Sequence, residues 1–180
     1  MRALLVLALA PLAACQGQPD HRAETAPPET AERLDLNRYA GVWHEIYRYP
    51  NRFEAGCAAV TATYAVLGEG RARVTNACVR DGETVLAEGI ARRTGEATLE
   101  VRFAPAFLAA LPMVWGDYWV LALEGDYEAA EGGALVGSPD GKYLWVLARD
   151  PLPDEAMIAR LVAAAEARGY DTDALVRPPR

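Results

Sequence analysis

The chain has 180 residues, 52% of them hydrophobic and 24% charged, which is enough for one well-filled core and too short for two. Eighteen Lys and Arg against 25 Asp and Glu leave a net charge of −7, and this excludes duplex nucleic acid as a partner because phosphate contacts need a basic surface. Three Cys and two His, with no Cys-x-x-Cys pair and no clustered His, offer no resident metal or cofactor a ligand set.

Met1 to Ala14 carries Arg2 and then a small or apolar run of about twelve residues. A bilayer-spanning helix needs roughly 20, so residues 1–14 read as a cleaved secretory signal rather than an anchor. At its end, Leu12-Ala13-Ala14-Cys15 resembles the lipobox of bacterial lipoproteins. That resemblance implies lipid attachment at Cys15, hence a membrane partner held through acyl chains. Gln16, standing where an Asp would resemble an inner-membrane retention signal, favours the outer membrane, with the periplasmic face as the expected side. Residues 15–33 are rich in Pro, Glu, Ala and Thr with no periodic apolar face, so a flexible tether is expected there and His21 is expected to be solvated.

From Leu34 onward the chain reads as one domain, residues 34–180. Eight short alternating runs, bounded by Gly, Asp, Asn or Pro, predict antiparallel strands. They fall near Trp43 to Tyr49, Ala59 to Val66, Arg71 to Val79, Thr84 to Arg92, Thr98 to Phe103, Tyr118 to Glu124, Ala134 to Ser138 and Tyr143 to Arg149. Met157, Ile158, Leu161, Val162 and Ala165 then follow a helical period, with Asp154 at its start and Gly169 past its end. Eight strands followed by one helix predict an all-β fold, an eight-stranded antiparallel up-and-down barrel with a C-terminal α-helix packed outside. Period-two parity turns one set inward: Trp43, Glu45 and Tyr47; Val60, Ala62 and Tyr64; Val74 and Asn76; Ala87 and Gly89. The later strands add Leu99, Val101 and Phe103; Tyr118, Val120 and Ala122; Tyr143, Trp145 and Leu147. Pattern alone leaves two readings open, a solid core and a cavity lined by these residues.

Gly41-Val42-Trp43, after the turn Leu36-Asn37-Arg38-Tyr39, resembles the opening motif of the lipocalins. The stretches Tyr39 to Glu54, Val60 to Tyr64 and Tyr143 to Pro151 are similar to the bacterial outer-membrane, apolipoprotein D-like branch of that family. The resemblance implies that Gly41, Trp43, Tyr127 and Arg149 are structural, with the Arg149 guanidinium lying across the Trp43 indole at the closed end. Glu124-Gly125-Asp126-Tyr127 departs from the family's Asp-x-x-Tyr hairpin and is followed by an apparent insertion, leaving that hairpin's geometry open. It further implies a binding protein that stores or carries a fatty acid or lysophospholipid for envelope maintenance. Its site is expected at Glu45, Tyr47, Val60, Ala62, Tyr64, Val74, Asn76, Gly89, Leu99, Val101, Phe103, Tyr118, Val120, Tyr143 and Trp145. Pro105 to Asp117 packs Phe107, Leu108, Leu111, Met113, Val114 and Trp115 into one connection. It is a candidate mouth or homodimer surface, or else a loop buried over the rim.

In an oxidising compartment Cys57 and Cys78 are expected to be joined. A strict hairpin register places Cys57 nearer Arg80, so the bridge needs slack from Gly56 or a bulge. Glu45 either contacts a head group or pairs with a neighbouring hydroxyl or cation. Two other function classes stand beside the binder: a structural envelope lipoprotein with a filled barrel, and an enzyme using the inward Cys78 thiol. The chain has no nucleophilic serine motif, no phosphate loop and one His, His44, in the folded part, expected to face solvent. No catalytic residues are expected.

Overall fold

A computed structural model describes residues 18–179; the signal segment 1–14 and Cys15 lie outside the described residues. A short helix, α1 (Leu36–Tyr39), leads into eight strands: β1 (Gly41–Arg48), β2 (Val60–Gly68), β3 (Arg71–Arg80), β4 (Glu83–Arg93), β5 (Thr98–Arg102), β6 (Gly116–Glu124), β7 (Gly133–Gly137) and β8 (Leu144–Ala148). All neighbours are antiparallel, and β1 also pairs with β8, so the sheet closes into a barrel without free edges. α2 (Glu155–Glu166) packs outside. This is the architecture expected from the strand count, with boundaries shifted by one or two residues.

Local chemistry sets the turns. The β3–β4 connection is the two-residue Asp81-Gly82, both at positive φ (52° and 81°), the backbone that matches strand twist and that Gly and Asp tolerate best. The connections β1–β2, β3–β4, β5–β6 and β7–β8 lie at one end of the barrel, the mouth. α1 and the other three connections lie at the base.

Two apolar clusters sit on either side of the sheet. Inside, Leu34, Tyr39, Trp43, Leu99 and Val120 fill the base and are almost fully buried. Outside, Met157, Ile158, Leu161 and Ala165 of α2 cover Leu121, Leu135 and Val146. The helix approaches so closely that a methyl group on Gly133 would collide with Met157 Sδ and Leu161. Asp154 caps it, Oδ1 accepting from the Met157 N–H at 2.8 Å.

The segment expected to be a tether differs from expectation. From Leu34 at the base, residues 18–31 run along the barrel beside the end of α2. The Ala31 N–H donates to Val120 O (2.9 Å), Ala23 N–H to Gly169 O (3.0 Å) and His21 N–H to Gly141 O (3.1 Å). Arg22 is 7% exposed and pairs with Tyr170 through a β-bridge, while its guanidinium donates to the carbonyls of Arg168, Glu24 and Ala26. His21 is not a free solvated side chain; its ring lies 4.7 Å from that of Tyr49. Composition argued against a core of the segment's own, and it has none: backbone hydrogen bonds and the guanidinium groups of Arg22 and Arg168 hold it to the neighbouring domain.

Candidate functional site

At the base, Trp43 is fully buried, its Nε1–H donates to Tyr39 O (2.9 Å), and the Arg149 guanidinium carbon stands 4.0 Å from the ring centroid. Arg149 also donates to the carbonyls of Tyr127 (2.8 Å), Val42 (2.9 Å) and Arg38 (2.8 Å). Gly41, at φ +95°, keeps clear a position 3.3 Å from Arg149 Nη1 that a Cβ would occupy. Around the hairpin whose geometry was open, Arg38 bonds Asp126 (2.6 Å) and Glu128 (3.3 Å) and lies 4.4 Å over the Tyr127 ring. The four residues expected to be structural thus form one lock on the barrel's closed end.

Above Trp43 lies a cavity of about 90 Å³, lined by Glu45, Glu54, Val60, Ala62, Tyr64, Val74, Asn76, Val101, Phe103, Tyr118, Trp145 and Leu147. Its floor is a chain of phenols: Tyr64 O–H donates to Tyr118 Oη (2.8 Å), which also bonds Tyr39 Oη (2.8 Å). Burial drives the Tyr39, Tyr64 and Tyr118 hydroxyls well above their ordinary range, so the floor stays neutral. Its walls are aliphatic and aromatic. Asn76 Oδ1 is buried without a hydrogen-bond partner.

Toward the mouth the cavity turns polar. Glu45 Oε1 accepts from Arg48 Nη1 at 2.6 Å, and Arg48 Nε stands 3.5 Å from Glu54 Oε2, the side chains being 3%, 8% and 15% exposed respectively. Arg48 Nη2 also donates to Glu54 O (3.1 Å), and Glu54 Oε2 accepts from Asn51 Nδ2 (2.5 Å) and Trp145 Nε1 (3.3 Å). Two carboxylates share one guanidinium here. Burial first, and the charge of Glu54 second, push Glu45 up to about 8. Of the two fates weighed for Glu45, pairing with a cation is the one observed, and its carboxyl lines the cavity as well.

Ten of the expected lining residues meet in the cavity, and five do not. Tyr47 is turned out by a β-bulge between Glu45 and Tyr47 in the β1–β8 ladder; its ring packs against the outer cluster and its hydroxyl accepts from Arg177 (3.0 Å). The same bulge brings Arg48 inside, which strict alternation could not foresee. Gly89 provides no free space, because a Cβ there would lie 2.7 Å from Arg102 O and 2.8 Å from the Phe103 ring, which already covers it. Leu99 and Val120 lie lower, in the packed base around Trp43. Tyr143 sits above the cavity at the rim, stacked 5.6 Å from Trp145 and 6.1 Å from Phe53. Leu147 joins the lining as its parity indicated. Glu54 carried no signal in the sequence, since it lies in a loop without periodicity.

Cys57 and Cys78 are joined, with Cα atoms 5.4 Å apart. The ladder pairs Val60 with Cys78, and the chain leaves it at Ala58 and Ala59, which bracket Val79 with two backbone hydrogen bonds before folding Cys57 back. The slack expected of this segment is therefore present, with Gly56 at φ +76°. Neither described cysteine is a free thiol. The β5–β6 connection makes two 3₁₀ turns, Ala106–Leu108 and Pro112–Val114. Trp115 is held on the outer wall beneath Arg92 and Arg102, 3.9 and 5.2 Å from its ring, whereas Phe107 and Met113 are exposed.

Residues 34–180 match the family model described as a lipocalin-like domain. The chain is 37% identical over 158 residues to temperature-induced lipocalin-1 of Arabidopsis thaliana, covering 84% of this chain and 82% of that protein. It is 35% identical over 148 residues to the outer membrane lipoprotein Blc of Escherichia coli (strain K12), covering 79% and 77%. To apolipoprotein D of Bos taurus it is 36% identical over 167 residues, covering 86% and 82%. Insecticyanin from the tobacco hornworm Manduca sexta superimposes with a TM-score of 0.66 at 20% identity, covering 90% of this chain and 87% of that one, a likeness of fold.

Proposed function

Because the chain belongs to the lipocalin family, a group of proteins that bind small hydrophobic ligands, we propose that it is a lipid-anchored, non-catalytic carrier of a single-chain amphiphile, a fatty acid or lysophospholipid. The observation that carries this reading is the cavity's two-part wall: aliphatic and aromatic side chains below, the Glu45, Arg48 and Glu54 cluster toward the mouth. An extended acyl tail suits the lower part, whose walls offer it apolar contact. Cleavage before Cys15 and its acylation complete the proposal, with the outer membrane as location; relatives named outer membrane lipoprotein support that placement. Burial of the tail drives capture, against the cost of ordering the chain.

The test is native mass spectrometry of the mature protein before and after adding lysophospholipid or fatty acid. A one-to-one adduct, released on denaturation, is expected. A folded protein that takes up neither ligand overturns the carrier and leaves a filled-barrel envelope lipoprotein as the better account.

A further inference from the structure

The strap of residues 18–31 bears on how the barrel meets a membrane. Its base end is fixed where the Leu34 N–H donates to Glu96 O (2.9 Å), and its free end reaches the mouth, where Gln18 Nε2 donates to Pro50 O (2.5 Å) and Lys142 O (3.4 Å). Pro50 and Lys142 belong to the β1–β2 and β7–β8 connections, both at the mouth. Cys15 is three residues before Gln18 and so can lie no more than about 11 Å from it. An unfastened segment from Cys15 to Leu34 would instead reach about 60 Å and leave the barrel free to turn.

The same end carries the larger set of strongly exposed apolar tips, while at the base Leu152 is 70% exposed. Met113 is 85% exposed, Phe107 83%, Phe53 62% and Leu86 61%. Phe53 belongs to the β1–β2 connection, Phe107 and Met113 to the β5–β6 connection, and Leu86 to β4 just after the β3–β4 turn, so all four lie toward the mouth end. We infer that the barrel docks mouth-down on the bilayer that holds its anchor, with these tips in the headgroup and upper acyl region, so that a lipid chain passes from bilayer to cavity without crossing water. This rests on the reading that Cys15 is acylated. The occupant of the surface is a lipid bilayer; two features at one end, the exit of the anchor and the apolar tips, independently select it.

The experiment uses the full-length lipoprotein, its acylation verified by mass, in vesicles of phosphatidylethanolamine and phosphatidylglycerol. A fluorophore is placed at Phe107→Cys or Met113→Cys at the mouth, and at Leu67→Cys or Leu152→Cys at the base, the native pair being oxidised. Quenching by brominated acyl chains is expected to be several-fold stronger at the mouth. Arg22→Ala, which unfastens the strap, is expected to shrink that contrast while leaving the far-ultraviolet spectrum unchanged. Equal quenching at both ends, stronger quenching at the base, or an unmodified Cys15 overturns the inference. So does a mouth label shielded from water but not reached by bromine in a particle of doubled mass, which would assign the tips to a second copy of the chain. Lysolipid uptake, measured on the same preparation, reports separately on the carrier reading: uptake with an aqueous mouth refutes the docking alone.

Discussion

Glu45→Gln isolates the energetic role of the cavity's buried cluster. The native carboxyl titrates at about 8, against an ordinary value of 4.5. Between these values the folded protein holds a proton that the unfolded chain has released, so stability falls as pH rises. It is highest below about pH 4.5, declines by about 1.4 kcal/mol per pH unit, and levels off above about pH 8, with an accumulated loss of about 5 kcal/mol. The amide of Gln keeps an oxygen for Arg48 and cannot ionise, so the variant lacks this decline. His44, lowered by burial, pulls the other way, but it is common to both proteins and drops out of their difference. Urea unfolding of the two proteins from about pH 5 to about pH 9 is the assay. The variant should gain on the parent by several kcal/mol across that range. Parallel curves would refute the assignment of a protonated Glu45 beside Glu54.

Further outcomes follow from the base lock, the disulfide and the cavity wall. Arg149→Met removes three hydrogen bonds and one ring contact and should cost about 3 kcal/mol by chemical denaturation; Arg149→Lys should recover less than half, since one ammonium cannot span three carbonyls. Replacing both Cys57 and Cys78 by Ser opens a loop with a sequence separation of 21 and should lower stability by about 3 kcal/mol, read from the shift in denaturation midpoint. Ala62→Phe fills the cavity from its wall; lysolipid adducts should disappear from the native mass spectrum while stability changes by less than about 2 kcal/mol.

Much of this was legible because strands and a helix bury their side chains with different periods. Leu99 and Val101 face the interior and Glu100 does not, as alternation with charged neighbours indicates; Met157, Ile158, Leu161 and Ala165 form one helical stripe. Misreadings arise where backbone geometry departs from its period. The bulge after Glu45 exchanges Tyr47 for Arg48, and no residue there announces it, since Ile46 is as suitable for a regular strand as for an irregular one. Gly89 reads as vacant space when only its own strand is considered, whereas the Phe103 ring from β5 fills it. Glu54 and the strap depend on contacts between segments far apart in sequence, Arg22 with Arg168 among them, and composition holds no trace of such pairing.

That last pairing fixes an order of events. Arg22 finds its partners at Arg168 and Tyr170, near the opposite end of the chain, so the segment made first is seated last. Until α2 has wound against the barrel, Arg22 and Ala23 lack the Arg168, Gly169 and Tyr170 groups they bind, whereas the base end of the segment, where the Ala31 N–H donates to Val120 O of β6, does not depend on them. Completion of the C-terminus supplies those partners. Under the anchoring and docking proposed above, completing the C-terminus is what turns a barrel free to tumble over its membrane into one held at a set angle.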